Sequence, residues 1–186
     1  MSMLRLLIIC IMVCELFTTK VHASRVQPQS DVPPFEVPYF EIGYKSVEQA
    51  LKECELHNQR KIILPVKLPS VEFTHHIGRC NKDPNDMNDE FQIEYLNEKQ
   101  SMNHYNIDVR PIEQKLNFAM NKRVQSYKLT DGSEARYFTT VTPKIRGGFN
   151  ILVFEKNGWQ YRLSVDTRIQ DRVTQNTLLE IAQSIR

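Results

Sequence analysis

The sequence predicts an α+β domain in which a curved antiparallel meander sheet carries an N-terminal and a C-terminal helix packed on one face. Three observations support this prediction. Apolar residues recur at helical spacing near residue 50 and again near residue 180. Between these segments apolar and polar residues alternate, as in half-buried strands. Two dipeptides, Asp131-Gly132 and Asn157-Gly158, favour two-residue type I′ hairpin turns because both positions need positive φ angles.

The first 23 residues have the order of a secretory signal peptide. Arg5 precedes an apolar run that Glu15 interrupts near its end, and Val21-His22-Ala23 resembles a small-residue cleavage site. The run is shorter than the ~20 residues that a membrane-spanning helix needs. We therefore expect a secreted, extracellular chain that begins at Ser24 and has no permanent membrane span. Association with the cell envelope, and retention of the leader as an anchor, stay open.

Charge and length limit the possible partners and the domain count. Cleavage removes two bases and one acid, so the formal charge falls from +2 to +1. A near-neutral chain lacks the clustered basic surface that nucleic acid requires. Residues 24–44 contain Pro33, Pro34 and Pro38 and are predicted to form an extended, weakly ordered linker. Residues 45–186 then form a single domain, which we expect to be a monomer.

Four cysteines are present, and two of them lie in the predicted leader. Lipidation at Cys10 or Cys14 is disfavoured because a bulky residue precedes each one. Cys54 and Cys80 remain after cleavage, and an isolated pair in an oxidising compartment favours a structural disulfide. Closing a loop of about 26 residues stabilises the folded chain by roughly 3.5 kcal/mol in the chain-entropy model. Zinc binding and free thiols are the alternatives.

The first half of the domain is predicted to contain one helix and three strands. Ser46-Val47-Glu48-Gln49 has capping-box spacing and begins a helix that runs to about His57. Residues 63–69 contain two prolines and suit an edge segment of the sheet. Alternating apolar residues predict half-buried strands over residues 71–77, 91–95 and 105–109.

The second half is predicted to contain a helix, two hairpins and a closing helix. Pro111 suits a first helical turn, and the pattern that follows predicts a helix to about Asn121. The hairpin at Asn157-Gly158 sets Phe154 opposite Tyr161, which places these aromatic rings on the core face. Thr174 is the predicted N-cap of the last helix. Its apolar stripe is formed by Leu178, Ile181, Ala182 and Ile185.

Several segments together resemble an uncharacterised extracytoplasmic domain family of Gram-positive bacteria, over about residues 46–186. These segments are Ala50-Leu51, Ile63-Leu64-Pro65, Leu68-Pro69, Phe91-Gln92-Ile93-Glu94-Tyr95, Trp159-Gln160-Tyr161-Arg162-Leu163 and Leu178-Leu179-Glu180-Ile181-Ala182-Gln183-Ser184-Ile185. That family occurs in small secreted proteins and lipoproteins, and in the outer part of anti-sigma-factor-like membrane proteins. The resemblance implies a sensing, interaction or envelope role without catalytic residues.

No motif in the sequence indicates a metal site or a reaction. His75 and His76 are neighbours on a predicted strand, so their side chains point to opposite faces and do not readily share one ion. The acidic loop that begins at Asp83 resembles a calcium loop in part, but Asn88 replaces the required glycine and a solvated turn is the preferred interpretation. The chain lacks a nucleophile elbow of the G-x-S-x-G type. We expect no cofactor and no catalytic residues.

The sequence therefore predicts a secreted, non-catalytic domain that binds an extracellular protein or a cell-envelope component. A secreted hydrolase with an unrecognised active site is the alternative. Four basic residues are candidate contacts for an anionic partner. They are Arg136, Lys144, Arg146 and Arg162.

Overall fold

The structure, a computed structural model, describes residues 33–83, 88–118, 124–142 and 147–186, and its compact unit begins at Pro33. Three α-helices and seven strands are present in these residues. The helices are α1 (Val37–Glu41), α2 (Val47–Asn58) and α3 (Gln175–Gln183), with 3-10 turns at Ile112–Gln114 and Thr167–Ile169. The strands are β1 (His75–Asn81), β2 (Glu90–Leu96), β3 (His104–Pro111), β4 (Gln125–Lys128), β5 (Glu134–Thr139), β6 (Phe149–Lys156) and β7 (Trp159–Asp166).

The seven strands form one antiparallel sheet, which confirms the α+β class. Their order is β1-β2-β3-β7-β6-β5-β4, and every pair is antiparallel. The sheet therefore consists of two meanders, β1 to β3 and β4 to β7, that join where β3 pairs with β7. A single continuous meander was the sequence expectation, and it is wrong at this junction, because β4 does not pair with β3.

One face of the sheet, here called the inner face, is covered by apolar side chains. Its alternating residues belong to the main buried cluster, together with Ala50 and Cys54 of α2 and Leu178, Ile181 and Ala182 of α3. The inner-face residues in the cluster are Phe91, Ile93, Tyr105, Ile107, Val109, Ala135, Leu152, Phe154, Trp159, Tyr161, Leu163 and Val165. The opposite, outer face carries the intervening residues of each strand.

The two predicted hairpins form, but only one has the predicted turn. At β6–β7, Lys156 pairs with Trp159, and Asn157 and Gly158 have φ angles of 53° and 78°, which confirms the two-residue type I′ turn. At β4–β5, Leu129 N donates to Ser133 O, so the loop has three residues, Thr130 to Gly132. Gly132 has φ of 84°, whereas Asp131 stays at negative φ. The type I′ prediction is therefore wrong at Asp131.

Helices α2 and α3 begin as the sequence predicts. Ser46 accepts a hydrogen bond from Gln49 N, and Thr174 forms a capping box with Thr177. The helix predicted from Pro111 to about Asn121 is wrong over its described part. Pro111 pairs with Trp159 as the last residue of β3, and only a 3-10 turn follows. Backbone pairing along β3 and β7 overrides the helical spacing there.

Two other expectations are wrong in the first half of the chain. Residues 63–69 are not an edge of the sheet, because Tyr161 Oη and Trp159 Nε1 on the inner face donate to the carbonyls of Ile63 and Lys61. The strand predicted over residues 71–77 begins only at His75, where β2 supplies Leu96 as its partner.

The expected extended linker over residues 24–44 contains helix α1. Pro38 occupies its first turn, where a missing amide proton costs nothing. Phe35, Tyr39 and Phe40 pack around a buried cluster of Tyr44, Ile77 and Leu96, which lies on the outer face of β1 and β2. This packing orders the segment despite its proline content.

Cys54 and Cys80 form the predicted disulfide, with Cα atoms 5.4 Å apart. The bond joins α2 to β1 at a point where the two elements lie close together. A Cβ atom at Gly78 would come within 3.0 Å of both Ala50 Cβ and Val47 Cα. In the part of the chain that the structure describes, no helix has the length and hydropathy needed to cross a membrane.

Candidate functional site

A row of paired residues crosses the outer face from strand to strand and contains both described members of the predicted basic set. Arg136 on β5 pairs with Val153 on β6, which pairs with Arg162 on β7, and that residue pairs with Asp108 on β3. The two arginines therefore lie two strands apart on one face, about 10 Å between their backbones. Lys144 and Arg146 lie outside the described residues.

Each of the two arginines already has an acidic neighbour. Arg162 Nε donates to Asp108 Oδ2 at 2.8 Å, and its Nη2 lies 3.7 Å from Glu90 Oε1. Arg136 Nε donates to Glu134 Oε1 at 3.1 Å. Both charges are therefore neutralised locally.

Asp108 is the centre of a group of four charged residues and one glutamine that we call the outer-face ion cluster: Glu90, Gln92, Asp108, Arg110 and Arg162. Gln92 Nε2 donates to both Glu90 Oε2 and Asp108 Oδ1, at 2.9 and 3.3 Å. Arg110 Nη2 lies 3.3 Å from Glu90 Oε1. Asp108 is 3% exposed and Arg110 is 7% exposed. The cluster is thus a buried, hydrogen-bonded network on the outer face.

Burial raises the pKa of Asp108 to about 6, in spite of the neighbouring Arg162 guanidinium. The nearby carboxylates of Glu90 and Glu94 raise this pKa further. Glu94 itself accepts hydrogen bonds from His104 Nε2 at 2.6 Å and from Asn106 Nδ2 at 3.1 Å. The carboxylates of Asp108 and Glu94 are therefore engaged with neighbouring side chains of this chain.

Beside this cluster the outer face carries an open groove of about 780 Å³, here called the outer-face groove. Val153 belongs to a small apolar cluster with Phe138 and Ile151, and Phe118 packs against it. The groove is lined by residues 115–118, by Ser133, Glu134 and Arg136, and by Val153, Phe154, Glu155 and Gln160. Its lining combines apolar surface with positively and negatively charged side chains.

Buried Gln160 fixes one wall of the groove. Its Nε2 donates to Leu116 O at 3.0 Å, and its Oε1 accepts from Leu116 N at 2.9 Å. Lys115 on this wall forms a 2.9 Å ion pair with Glu155. These two hydrogen bonds from the Gln160 side chain satisfy the backbone N–H and C=O of Leu116. The wall is therefore ordered, although Leu116 belongs to no strand.

A second, smaller pocket of about 250 Å³ contains a histidine and a carboxylate. His57 Nε2 lies 2.8 Å from Asp89 Oδ2, and Asp89 is 3% exposed. Asp83 N donates to Asp89 Oδ1, and Asp89 N donates to Gln114 Oε1. The remaining lining residues are Asn58, Arg60, Pro111 and Glu113. Among the described residues that line this pocket, none is a Ser, Thr or Cys that could act as a nucleophile.

His75 and Cys80, which have side chains of the kind that bind zinc, have other partners. His75 Nδ1 lies 2.8 Å from Glu36 Oε1 and its ring stacks on Phe35, whereas Cys80 is bound to Cys54. Within residues 33–83, 88–118, 124–142 and 147–186, no group of three or more His, Cys, Asp or Glu side chains is placed to hold a metal ion. Asn85 and Asp86 of the acidic loop lie outside those ranges.

Reasoning from the sequence missed the outer-face ion cluster and the groove. The alternating pattern predicted the strands that carry Gln92 and Asp108 but gave these two residues no role, and Arg162 was considered only as a contact for an anionic partner. The sequence did contain one signal for the cluster. Asp108 and Arg162 have opposite charges, and they lie on strands β3 and β7, which pair directly. The groove depends on Gln160 and on an irregular segment after β3, which no sequence pattern indicated.

Comparisons of the chain with protein-family models, with curated proteins and with solved structures each found no match.

Proposed function

We propose that this protein is a secreted, non-catalytic binding module that uses the outer face of a curved sheet to bind an extracellular protein or a cell-envelope component. In this proposal helices α2 and α3 support the inner face and leave the groove accessible. The family resemblance described above implies the same kind of role. The outer-face groove is the observation that carries the proposal, because it is an open cavity of about 780 Å³ lined by both apolar and charged side chains.

The charges around the groove favour a polypeptide over a polyanion. Lys115 is paired with Glu155, and Arg136 is paired with Glu134. The four side chains are between 44% and 52% exposed, so they remain available to a partner. A polyanion that has no apolar groups requires an excess of basic groups, whereas a polypeptide can match alternating charges and place apolar side chains against Leu116 and Phe118.

Retention on envelope material tests this proposal. Washed cell-wall and membrane fractions are incubated with the exported chain, before and after protease treatment of the fraction. We expect retention that survives moderate salt and disappears after the protease treatment. Arg136→Glu should weaken retention at least about tenfold, because it places like charges at Glu134 inside the groove. Lys52→Glu is the matched control, since Lys52 is an exposed base on α2.

Two results would contradict the polypeptide proposal. The first is equal retention of the Arg136→Glu and Lys52→Glu variants, or no retention of the unaltered chain. The second is retention that resists protease and falls steeply with salt, which would indicate an anionic polymer as the partner.

The His57–Asp89 pair supports a second candidate function, a secreted hydrolase that activates water directly. A carboxylate can orient a histidine that acts as a general base. Glu113, the other acid in this pocket, has its pKa lowered by a hydrogen bond from Arg60, so it is not poised to donate a proton. Hydrolysis of ester, glycoside or peptide substrates that His57→Gln abolishes would establish this function and displace the binding module.

A further inference from the structure

Residues 62–69, here called the strap, expose an unusual concentration of aliphatic side chains. Ile63 is 36% exposed, Val66 is 78% exposed at a bend, and Leu68 is 43% exposed. Eight large hydrophobic residues are exposed in the described part of the chain, and three of them lie within residues 63–68. Ile62 and Pro69 are buried at the two ends of the strap. Exposed apolar side chains that cluster in this way indicate an interaction surface.

The strap is held firmly against the rest of the domain. Trp159 Nε1 donates to Lys61 O at 2.8 Å, and Tyr161 Oη donates to Ile63 O at 3.0 Å. At the other end, Lys67 N donates to Ser184 Oγ at 3.2 Å. Pro65 and Pro69 restrict the backbone further. The apolar side chains are therefore presented by an ordered backbone, and docking them requires little loss of conformational entropy.

Two exposed lysines accompany the apolar side chains. The Lys61 side chain is 85% exposed and pairs with Glu55. The Lys67 side chain is 58% exposed, and its partner Glu180 is 64% exposed at 3.3 Å. The exposed Lys67–Glu180 pair contributes little free energy, and the Lys61 side chain lies mostly in solvent although Glu55 is only 16% exposed, so both ammonium groups can contact other partners.

The composition of this surface distinguishes a lipid from a protein partner. Protein interfaces favour Trp, Tyr and Arg as anchors and are depleted in Lys. The exposed residues of the strap are Ile, Val, Leu and Lys. Aliphatic side chains beside lysines match the acyl boundary and the anionic headgroups of a bilayer surface.

We propose that the strap is a membrane-surface contact, in which Val66 and Leu68 enter the headgroup–acyl boundary and Lys61 and Lys67 bind anionic headgroups. This inference goes beyond the outer-face groove. The strap is contacted by inner-face side chains, whereas the groove lies on the outer face. Contact with a membrane through the strap would leave the groove open to its own partner.

Cosedimentation with protein-free vesicles tests the inference. The chain is isolated after export and its N-terminus is sequenced, because an uncleaved apolar leader would partition into lipid by itself. Vesicles consist of phosphatidylcholine alone or of phosphatidylcholine and phosphatidylglycerol in equal parts. We expect binding that is stronger on the anionic vesicles. The double variant Val66→Ser and Leu68→Ser should weaken that binding at least about tenfold.

Two further variants separate the contributions. Ile42→Ser is the matched control, since Ile42 is 62% exposed after α1, away from the strap, and it should change binding less than about twofold. Replacing Lys61 and Lys67 with Gln should weaken binding to anionic vesicles by about fivefold for each lysine, with little effect on neutral ones. Thermal unfolding of every variant confirms that the fold is kept.

Vesicle binding that the double variant retains in full would overturn the inference, as would an equal loss in Ile42→Ser. Failure of the unaltered chain to bind vesicles would do so too. A changed oligomeric state of the double variant without vesicle binding would assign the strap to a second copy of the chain. The vesicles contain no protein, so these outcomes are independent of the Arg136 experiment.

Discussion

At the scale of single residues, Asp108 has the most informative environment on the outer face. Burial raises the pKa of its carboxyl group to about 6. The same group accepts a hydrogen bond from Arg162 Nε. Sequence alternation predicted the strand over residues 105–109 that carries Asp108, but it gave this residue no role. Its burial could not be predicted, because it depends on neighbours from β2 and β7 that only the sheet order brings together.

The raised pKa of Asp108 makes stability depend on pH. The folded chain holds this proton more tightly than the unfolded chain, so the stability contribution is complete below about pH 4 and is lost as the pH rises through 6. Relative to Asp108→Asn, the free energy of unfolding of the unaltered chain should fall by about 2 kcal/mol between pH 4 and 7. Urea unfolding across this range measures the difference.

Asp131 provides a control of opposite sign for that experiment. Hydrogen bonds from Ser133 and Lys156 hold the pKa of its carboxyl group well below the usual value. Relative to Asp131→Asn, the unaltered chain should therefore lose stability as the pH falls through the acidic range.

Parallel stability curves for the Asp108→Asn variant and the unaltered chain would contradict the assignment of a buried, proton-binding Asp108.

Gly158 is a second residue for which the structure predicts a specific effect of substitution. Its φ angle is 78°, and an added Cβ would lie 2.9 Å from Arg60 Nη1. Gly158→Ala should lower the free energy of unfolding by about 1–2 kcal/mol, as urea unfolding would show. Gly147→Ala is the control, because open space surrounds Gly147 and its φ angle is not positive, so a change within about 0.5 kcal/mol is expected. Equal effects of the two substitutions would contradict the type I′ turn.

At the scale of elements, local signals predicted the structure where they matched the tertiary context. Ser46, Thr174 and Asn157-Gly158 each fix a cap or turn through their own hydrogen bonds or φ angles, and the structure has those features. Pro111 and the residues after it have helical spacing, but β7 offers backbone partners that extend β3 instead. Helix α1 was missed because its order comes from Ile77 and Leu96, which are distant in sequence.

The disulfide links α2 to β1 and should contribute measurably to stability. The bridged residues are 26 positions apart, so reduction should lower the free energy of unfolding by about 3.5 kcal/mol in the chain-entropy model. Intact mass should increase by two hydrogens on reduction. A variant with Ala at both Cys54 and Cys80 should be destabilised similarly and should not respond to reductant. An unchanged mass would refute the bridge.

At the scale of the whole molecule, the two faces of the sheet differ in the side chains that cover them. The inner face contributes to one large apolar cluster that also includes residues of α2 and α3. The outer face carries the ion cluster and the groove, with Gln160 linking the groove wall to the sheet. The sequence predicted that the protein binds a partner outside the cell. It also predicted Arg136 as a candidate contact. The groove that Arg136 lines could not be predicted, because it depends on the order of the strands in the sheet.

Amide hydrogen exchange with and without the retaining envelope fraction tests the central claim most directly, because it locates the contact surface without any substitution. If the outer-face groove is the binding site, bound chains should show slower exchange in residues 115–118, around Arg136 and along β6, while α2 exchanges as it does in the free chain. Slower exchange confined to α2 or to the His57 pocket, with the groove residues unchanged, would contradict the claim.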